Sequence, residues 1–423
     1  MKNKIQYFYI FIIFLSLIIS FFLKIDISNG GASRDLSYHW KYILALNDNL
    51  KILLETNHQQ KNGYPFHFPL HHIIISRFDY LVSNLENYIN FYFAISLFLP
   101  YFFYICLQNR FPEIQTRKKI FIASIIYFLP NYQASAIWGN SHITSLFFFI
   151  GAIYFLIILE KNEHKNINLN IFFMVFFMAC AAYTRQYYVI FFPFLFISIF
   201  RITKLKNIFF FCLVSLLLSL PGLLFAINNP VLINGFLYGV TDAKSSTLIV
   251  LSIIFVYLFP FFISNFKYNF QKLLEIIKNR KLLSYLLVII VIFFYFTLNF
   301  YYKGSLGGGL YFKVSKIIIE NNIFFLFTAL LGLILCFYYF KERIEDILLI
   351  IIICISFSSG YMIFQKYFEP MIILCIFLLI KRDFVKKIFN FNYHFIFVYF
   401  SSYWLIYYIY SINLIKKIQI VLP

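Results

Sequence analysis

Apolar residues fall in long blocks separated by short polar punctuation along almost the whole chain. A block of about 20 apolar residues is long enough to cross a bilayer as a helix. Windows of about 19 residues predict about 13 spans. These are Ile5–Leu23, Tyr88–Leu107, Ile120–Ile137, Ile143–Leu159, Leu169–Tyr183, Gln186–Phe200 and Ile208–Ala226. Then come Thr247–Ile263, Leu283–Phe300, Ile323–Phe340, Ile347–Ile363, Phe368–Ile380 and His394–Leu414. The short runs at Gln186 and Phe368 read as half-spans or breaks. The expected fold class is an all-α polytopic membrane protein, one membrane domain over residues 1–423. The first block follows MKNK, is longer than a signal-peptide core and meets the bulky FFLKIDIS, so it reads as an uncleaved first span.

One polar interval is large, residues 24–86. After a turn at NGGAS it predicts a helix from about Ser33 to Thr56. Leu36, Trp40, Ile43, Leu50 and Leu54 recur there at the spacing of an interfacial amphipathic helix. Asp35, His39 and Tyr42 lie on another face, at i, i+4 and i+7. A polar hinge, TNHQQKNG, and the Pro-punctuated YPFHFPLHH follow.

Composition agrees: 62% of residues are hydrophobic and 13% charged, where soluble domains carry about a quarter charged. Phe and Tyr are so common, 60 and 34 residues, that no single aromatic counts as a sugar platform. The net charge of +19 raises the question of nucleic acid. There is no Arg-rich block or RNA-binding motif, and no nucleic-acid partner is expected. Short cytoplasmic loops collect Lys and Arg. With the N-terminus inside and strict alternation, inner segments hold 22 basic residues and outer ones 14, six of these in the long first loop. The chain therefore reads as N-in and C-out, with the first loop extracytoplasmic. The expected setting is a bacterial inner membrane, with the endoplasmic reticulum as the alternative. The six cysteines all lie in apolar runs and read as small hydrophobes.

In a membrane protein the informative residues are polar ones at membrane depth. In this topology they gather outside: Asp35, His39, His142, Arg185, Gln186, Asp242, Lys244, Lys303, Lys313, Lys366 and Glu369. Asp35 sits at the expected helix start, where a carboxylate is favoured in its charged form. It can take a proton from a hydroxyl, or merely decorate the first turn. Arg185 can clamp a phosphate bidentately or snorkel to headgroups. Lys366 and Tyr367 can touch a lipid phosphate, or Lys366 can pair with Glu369 one turn on. His67 and His71 are four apart but straddle Pro69, and no HExxH follows. They read as a juxtamembrane stretch lined with His and aromatics, and neither a metal nor another cofactor is expected. GSLGGGLYF lacks GK[ST], so it is no P-loop and reads as a flexible outer loop.

A first span, a large outer loop opening on an acidic residue and a helix, then many spans, resembles the GT-C superfamily. These are glycosyltransferases that use polyprenyl-phosphate-linked sugars. DLSYHWKYI, Asp35 to Ile43, is similar to the D-x-x-F-H segment of the family that adds the last glucose to the eukaryotic lipid-linked oligosaccharide. TRQYY, Thr184 to Tyr188, resembles its R-Q-T-N segment, and KYFEP, Lys366 to Pro370, its late R-Y-x-x-P segment. Leu36 stands where that family has a second acidic residue. The resemblance implies Asp35 as catalytic base assisted by His39, with Arg185, Gln186, Lys366 and Tyr367 near the donor phosphate. The implied partners are a polyprenyl-phosphate sugar, a lipid-linked or surface glycan acceptor and membrane lipid. A polysaccharide polymerase or ligase would carry its large loop late, and a flippase or transporter would carry more charge within its spans.

Overall fold

Most of the apolar blocks form single straight helices. In the computed structural model every element among the described residues is helical. The structure describes residues 2–28, 31–161, 166–230, 232, 243–298, 300–302, 307–341, 343–355 and 363–421. Nine helices there are long and apolar enough to cross a membrane, or ten if one bent pair is a single span. The chain is thus an α-helical membrane protein.

These nine match nine of the 13 expected spans. The other four differ for local reasons. Ile120–Ile137 is broken by 70° between Thr116–Phe128 and Pro130–Ile137. Gln186–Phe200 starts as a 3-10 turn and continues in an 11-residue helix. The helix in Ile347–Ile363 is described only as Ile344–Ile355. Phe368–Ile380 contains an eight-residue helix, Met371–Leu378, too short to cross.

The chain divides into two compact units, Met1–Ile233 with Phe400–Pro423, and Asn234–Tyr399. The first unit comprises α1 (Lys2–Phe22), α2 (Gly31–Asp48), α3 (His58–Asn62), α4 (Leu70–Ser76) and α5 (Asp79–Val82). It continues with α6 (Leu85–Ser96), α7 (Leu99–Arg110), α8 (Thr116–Ser124), α9 (Pro130–Ile137) and α10 (His142–Glu160). It closes with α11 (Ile167–Thr184), α12 (Phe192–Ile202) and α13 (Leu205–Asn228). α10 and α11 lie side by side, with Phe155 against Phe173 and Phe177 at 5.2 and 5.8 Å between ring centres.

The 70° break has a residue-level cause. A residue before proline is pushed to extended backbone, and Leu129 has φ −75° and ψ 118°. Pro130 then opens α9 at the first helical position, where its missing N–H is no loss. Gln133, fully buried, mends the break. Its amide donates to Tyr127 O at 2.5 Å and Ser16 Oγ at 3.1 Å. Its carbonyl accepts from Ser20 Oγ and from Trp404 Nε1, both at 2.9 Å. One side chain so ties α1, the break and the C-terminal helix together.

α2 corrects the expected interfacial helix. It ends at Asp48, with a 3-10 turn at Leu50–Leu54. Its buried face holds Ala32, Leu36, His39, Tyr42, Ile43 and Leu46, so His39 and Tyr42 share the apolar face. Leu50 and Leu54 are exposed. The polar hinge is instead ordered. Asn57 N–H donates to Asn228 O at 2.9 Å, and buried Gln59 binds Pro65 O and His67 O at 2.9 and 2.7 Å.

In the second unit Lys244–Ser264 is the central span, 83% buried over its most apolar window. A Cβ on Gly332 would come within 2.1 Å of Leu251 O, so helix Ile323–Phe340 crosses this span backbone to backbone. The described part of the glycine segment is a packed turn rather than a flexible loop. Gly308 N–H donates to Ile363 O at 2.8 Å, and Leu310 N–H to Gln365 Oε1 at 2.9 Å.

Candidate functional site

The first loop returns over the ends of α6, α10 and α11 and buries a polar cluster there. Its acidic start is Asp26, 7% exposed. The Asp26 carboxylate accepts Ser28 N–H at 2.9 Å, the Ser28 hydroxyl at 2.5 Å and Ser33 N–H at 2.8 Å. It therefore secures the start of α2. Asp35 is the fifth residue of α2, not part of its first turn, and is half-buried. The sequence reading gave Asp35 a place at the helix start that the structure gives to Asp26. Asp35 lies one turn before His39 on the same helix, so the i, i+4 spacing does bring these two to one side.

His39 is buried, and its Nδ1 meets Nε2 of His72 at 2.7 Å. Pro69 precedes α4, so the helix begins after it and carries both His71 and His72 inward. His71, fully buried, sits in a chain of hydrogen bonds. Thr144 N–H donates to the Tyr92 hydroxyl at 3.0 Å, and that hydroxyl contacts Thr144 Oγ1. Thr144 Oγ1 lies 2.9 Å from His71 Nδ1, and His71 Nε2 lies 3.2 Å from the Tyr88 hydroxyl. The Tyr88 hydroxyl donates to Gly139 O. The Tyr88 hydroxyl spends its proton on Gly139 O, so it accepts from His71, and His71 carries a proton on Nε2. With Nε2 protonated, a neutral imidazole leaves Nδ1 free to accept from Thr144 Oγ1.

The pKa of His71 is lowered to about 3, first by burial and then by the nearby Arg185 charge. His72 is lowered too, by burial and by His39, His71 and Arg185. The unfolded chain binds protons at these sites near pH 6.5 and the folded chain does not. Stability from this source is intact above pH 6.5 and is lost as pH falls toward 3. Lowering pH from 7 to 5 is expected to reduce the thermal unfolding temperature. The slope is about 1.4 kcal/mol per pH unit for one such histidine. The His71→Gln variant should show a shallower fall, and an unchanged slope would contradict the neutral assignment.

Arg185 ends α11, its extended backbone leading into the 3-10 turn Gln186–Phe191. A cation there is favoured by the helix C-terminus. Arg185 is 2% exposed, and its Nη1 bonds Nε2 of His67. Guanidinium nitrogen only donates, so His67 accepts through Nε2 and carries its proton on Nδ1. The Nε and Nη2 atoms have no hydrogen-bond partner among the described residues. Those two atoms form the edge that grips an oxyanion with two parallel bonds. Gln186 donates its amide to Phe66 O at 3.1 Å, bracing the segment that carries His67.

The turn between α9 and α10 belongs to the same cluster. Gly139 has φ +60°, and a Cβ there would come within 2.5 Å of the Tyr88 ring, so only glycine fits. Around it the Trp138 indole nitrogen, both amide atoms of Asn140 and the Ser141 hydroxyl are buried without partners among the described residues. Left unmade, such groups cost about 1–3 kcal/mol each. His142 is buried with Nδ1 3.2 Å from the Tyr187 hydroxyl. The apolar faces of α11, α12 and α13 line an open cleft of about 860 Å³. Phe68, Tyr183 and Val189, close in sequence to His67 and Arg185, line it.

Lys366 and Tyr367 belong to the second unit, in the 3-10 turn Gln365–Tyr367. Lys366 Nζ lies over the rings of Phe364 and Tyr367, 5.2 and 5.8 Å from their centres. Glu369 is buried, accepting from the Tyr257 hydroxyl at 2.5 Å and from Gln365 at 3.3 Å. Asp242 and Lys303 lie outside the described residues. Asp26, Asn140 and Ser141 escaped the sequence reading. The signals for them were a lone acid three residues past the first apolar block and the polar tetrad GNSH inside an apolar stretch. His67, His71 and His72, read as a juxtamembrane lining, are instead the core of the cluster.

Comparison with protein-family models, with curated proteins and with solved structures returned no match.

Proposed function

We propose that the protein is a membrane glycosyltransferase of GT-C type. It moves one sugar from a polyprenyl-phosphate donor to a lipid-linked or cell-surface glycan acceptor. The observation that carries this reading is the open, buried edge of Arg185, with an apolar cleft lined by its near neighbours in the chain, Tyr183 and Val189. A buried cation edge wants an oxyanion, and the cleft wants hydrocarbon. A polyprenyl phosphate joins the two in one molecule.

In the proposed step Asp35 takes the proton of the acceptor hydroxyl, and His39 orients that hydroxyl. The oxygen attacks the anomeric carbon from the side opposite the phosphate, and the bond to the phosphate oxygen breaks with inversion. The leaving lipid phosphate gains one negative charge, which Arg185 stabilises. The buried polar atoms of Trp138, Asn140 and Ser141 are suited to sugar hydroxyls.

The active side is proposed to be extracytoplasmic, with the N-terminus in the cytoplasm of a bacterial cell. Chain reversals gather the cluster at the first loop's end of the unit, which the charge bias puts outside. Tyr88, Gly139, Thr144, Arg185 and Asn228 all meet the first loop or its neighbours at one end. At the other, Lys161 binds Asn109 at 3.0 Å. The bent pair and the segment Gln186–Ile202 then each carry the chain across, the latter covering about 28 Å.

Turnover tests the reading. Purified protein receives radiolabelled polyprenyl-phosphate sugars and a membrane lipid extract. Wild type is expected to transfer label, and Arg185→Gln to lose about 10²- to 10³-fold of it. Equal transfer by the variant, or equal use of nucleotide sugars by wild type, overturns the proposal.

A further inference from the structure

The second unit carries a basic pocket that the proposed transfer does not use. Lysines from three segments far apart in sequence converge on it. Its lining includes Lys272, Lys341 and Lys387. The enclosed volume is about 50 Å³, room for about three water-sized groups. Lys341 Nζ lies 5.6 Å from the centre of the Tyr338 ring, and the Tyr338 hydroxyl donates to Asn269 Oδ1 at 3.0 Å. The Tyr339 hydroxyl, also in the lining, is buried with no partner among the described residues. These three lysines are in its lining with no acidic residue, and Lys272 also pairs with Glu275 at 2.7 Å.

The helix that forms one wall, Phe266–Lys278, fixes the depth of this pocket. Phe266, Phe270, Leu274 and Ile277 form a stripe along it, and all four are exposed by 40–50%. Asn269 and Ile276 are buried on the neighbouring face, beside the pocket. A short helix with an exposed apolar stripe and lysines beside it lies at the boundary of headgroups and acyl chains. The pocket then sits at headgroup level.

We propose that this pocket binds the phosphate headgroup of an anionic phospholipid. The lysines neutralise the phosphate, the Tyr339 hydroxyl donates to it, and the stripe lies along the acyl chains. Free inorganic phosphate would satisfy the cations but leave the stripe uncovered.

The test is native mass spectrometry of the full-length protein, titrated with phosphatidylglycerol and phosphatidylcholine of matched chains. Wild type should retain phosphatidylglycerol in preference. Lys341→Gln with Lys387→Gln should weaken that retention by roughly tenfold or more, with phosphatidylcholine unchanged. Tyr339→Phe keeps charge and packing and should weaken it a few-fold, so the test stands even if the double variant misfolds. Equal retention of the two lipids by wild type overturns the proposal. So does undiminished phosphatidylglycerol on well-folded variants. Displacement of the lipid by millimolar inorganic phosphate would reassign the pocket to free phosphate and overturn it too.

Discussion

Asp35→Asn is expected to lower sugar transfer by about 10²- to 10⁴-fold, the usual contribution of a general base, while thermal unfolding stays at the wild-type temperature. The side chain is half-buried and lies beyond the first turn of α2, so it does not cap the helix. Asparagine keeps its size and removes its charge and its ability to accept a proton. Asp26→Asn should behave in the opposite way. Asp26 receives three hydrogen bonds that start α2, and weakening such a cap costs about 1 kcal/mol. That variant should unfold earlier, and activity per folded molecule should survive. Measuring turnover and unfolding on both variants separates the base from the cap. If Asp26→Asn instead abolished turnover at unchanged stability and Asp35→Asn did not, the roles would be exchanged.

The largest effect on stability is expected at Gln133. Leucine fills the same space and makes none of its four hydrogen bonds. Tyr127 O, at the break between α8 and α9, would lose its donor, and Trp404 Nε1 its acceptor. Each buried group left unpaired costs about 1–3 kcal/mol, so Gln133→Leu should destabilise by roughly 3 kcal/mol. The check is thermal unfolding in detergent. Gln133→Glu, which keeps the acceptor for Trp404 and Ser20, should fall between the two. Wild-type stability in Gln133→Leu would mean that the bent pair is held by apolar packing alone.

Much of the fold was legible because span-length hydrophobicity is a local property. Nine of the expected spans needed only their own residues. The block at Ile120 looked the same in composition, but Pro130 turns it through 70°. Windowed hydropathy does not register a missing N–H. The amphipathic reading of α2 failed for a different reason. It assumed a lipid interface outside the protein, and the loop folded inward instead. His39 and Tyr42 then shared the buried face, because histidines and tyrosines elsewhere supplied their partners: His72 for His39 and His58 for Tyr42.

The candidate site shows the same division. Asp35 with His39, and Arg185 with Gln186, were visible as short polar motifs in an apolar chain. That they are unusual follows from the cost of polar groups at membrane depth. Their company was not visible. His67 is 118 positions from Arg185 and takes one of its nitrogens. Gly139 is 51 positions from Tyr88, and by taking the Tyr88 proton it sets the tautomer of His71. By itself the amino-acid order determined that the chain lies in a membrane, roughly where it crosses, and which polar residues are out of place there. Each of these is a sum over neighbouring residues. Only the tertiary structure decided which atoms of Arg185 stay open, which acid caps α2 and which imidazoles are held neutral. Burial and hydrogen-bond partnership are made between segments that no local pattern connects.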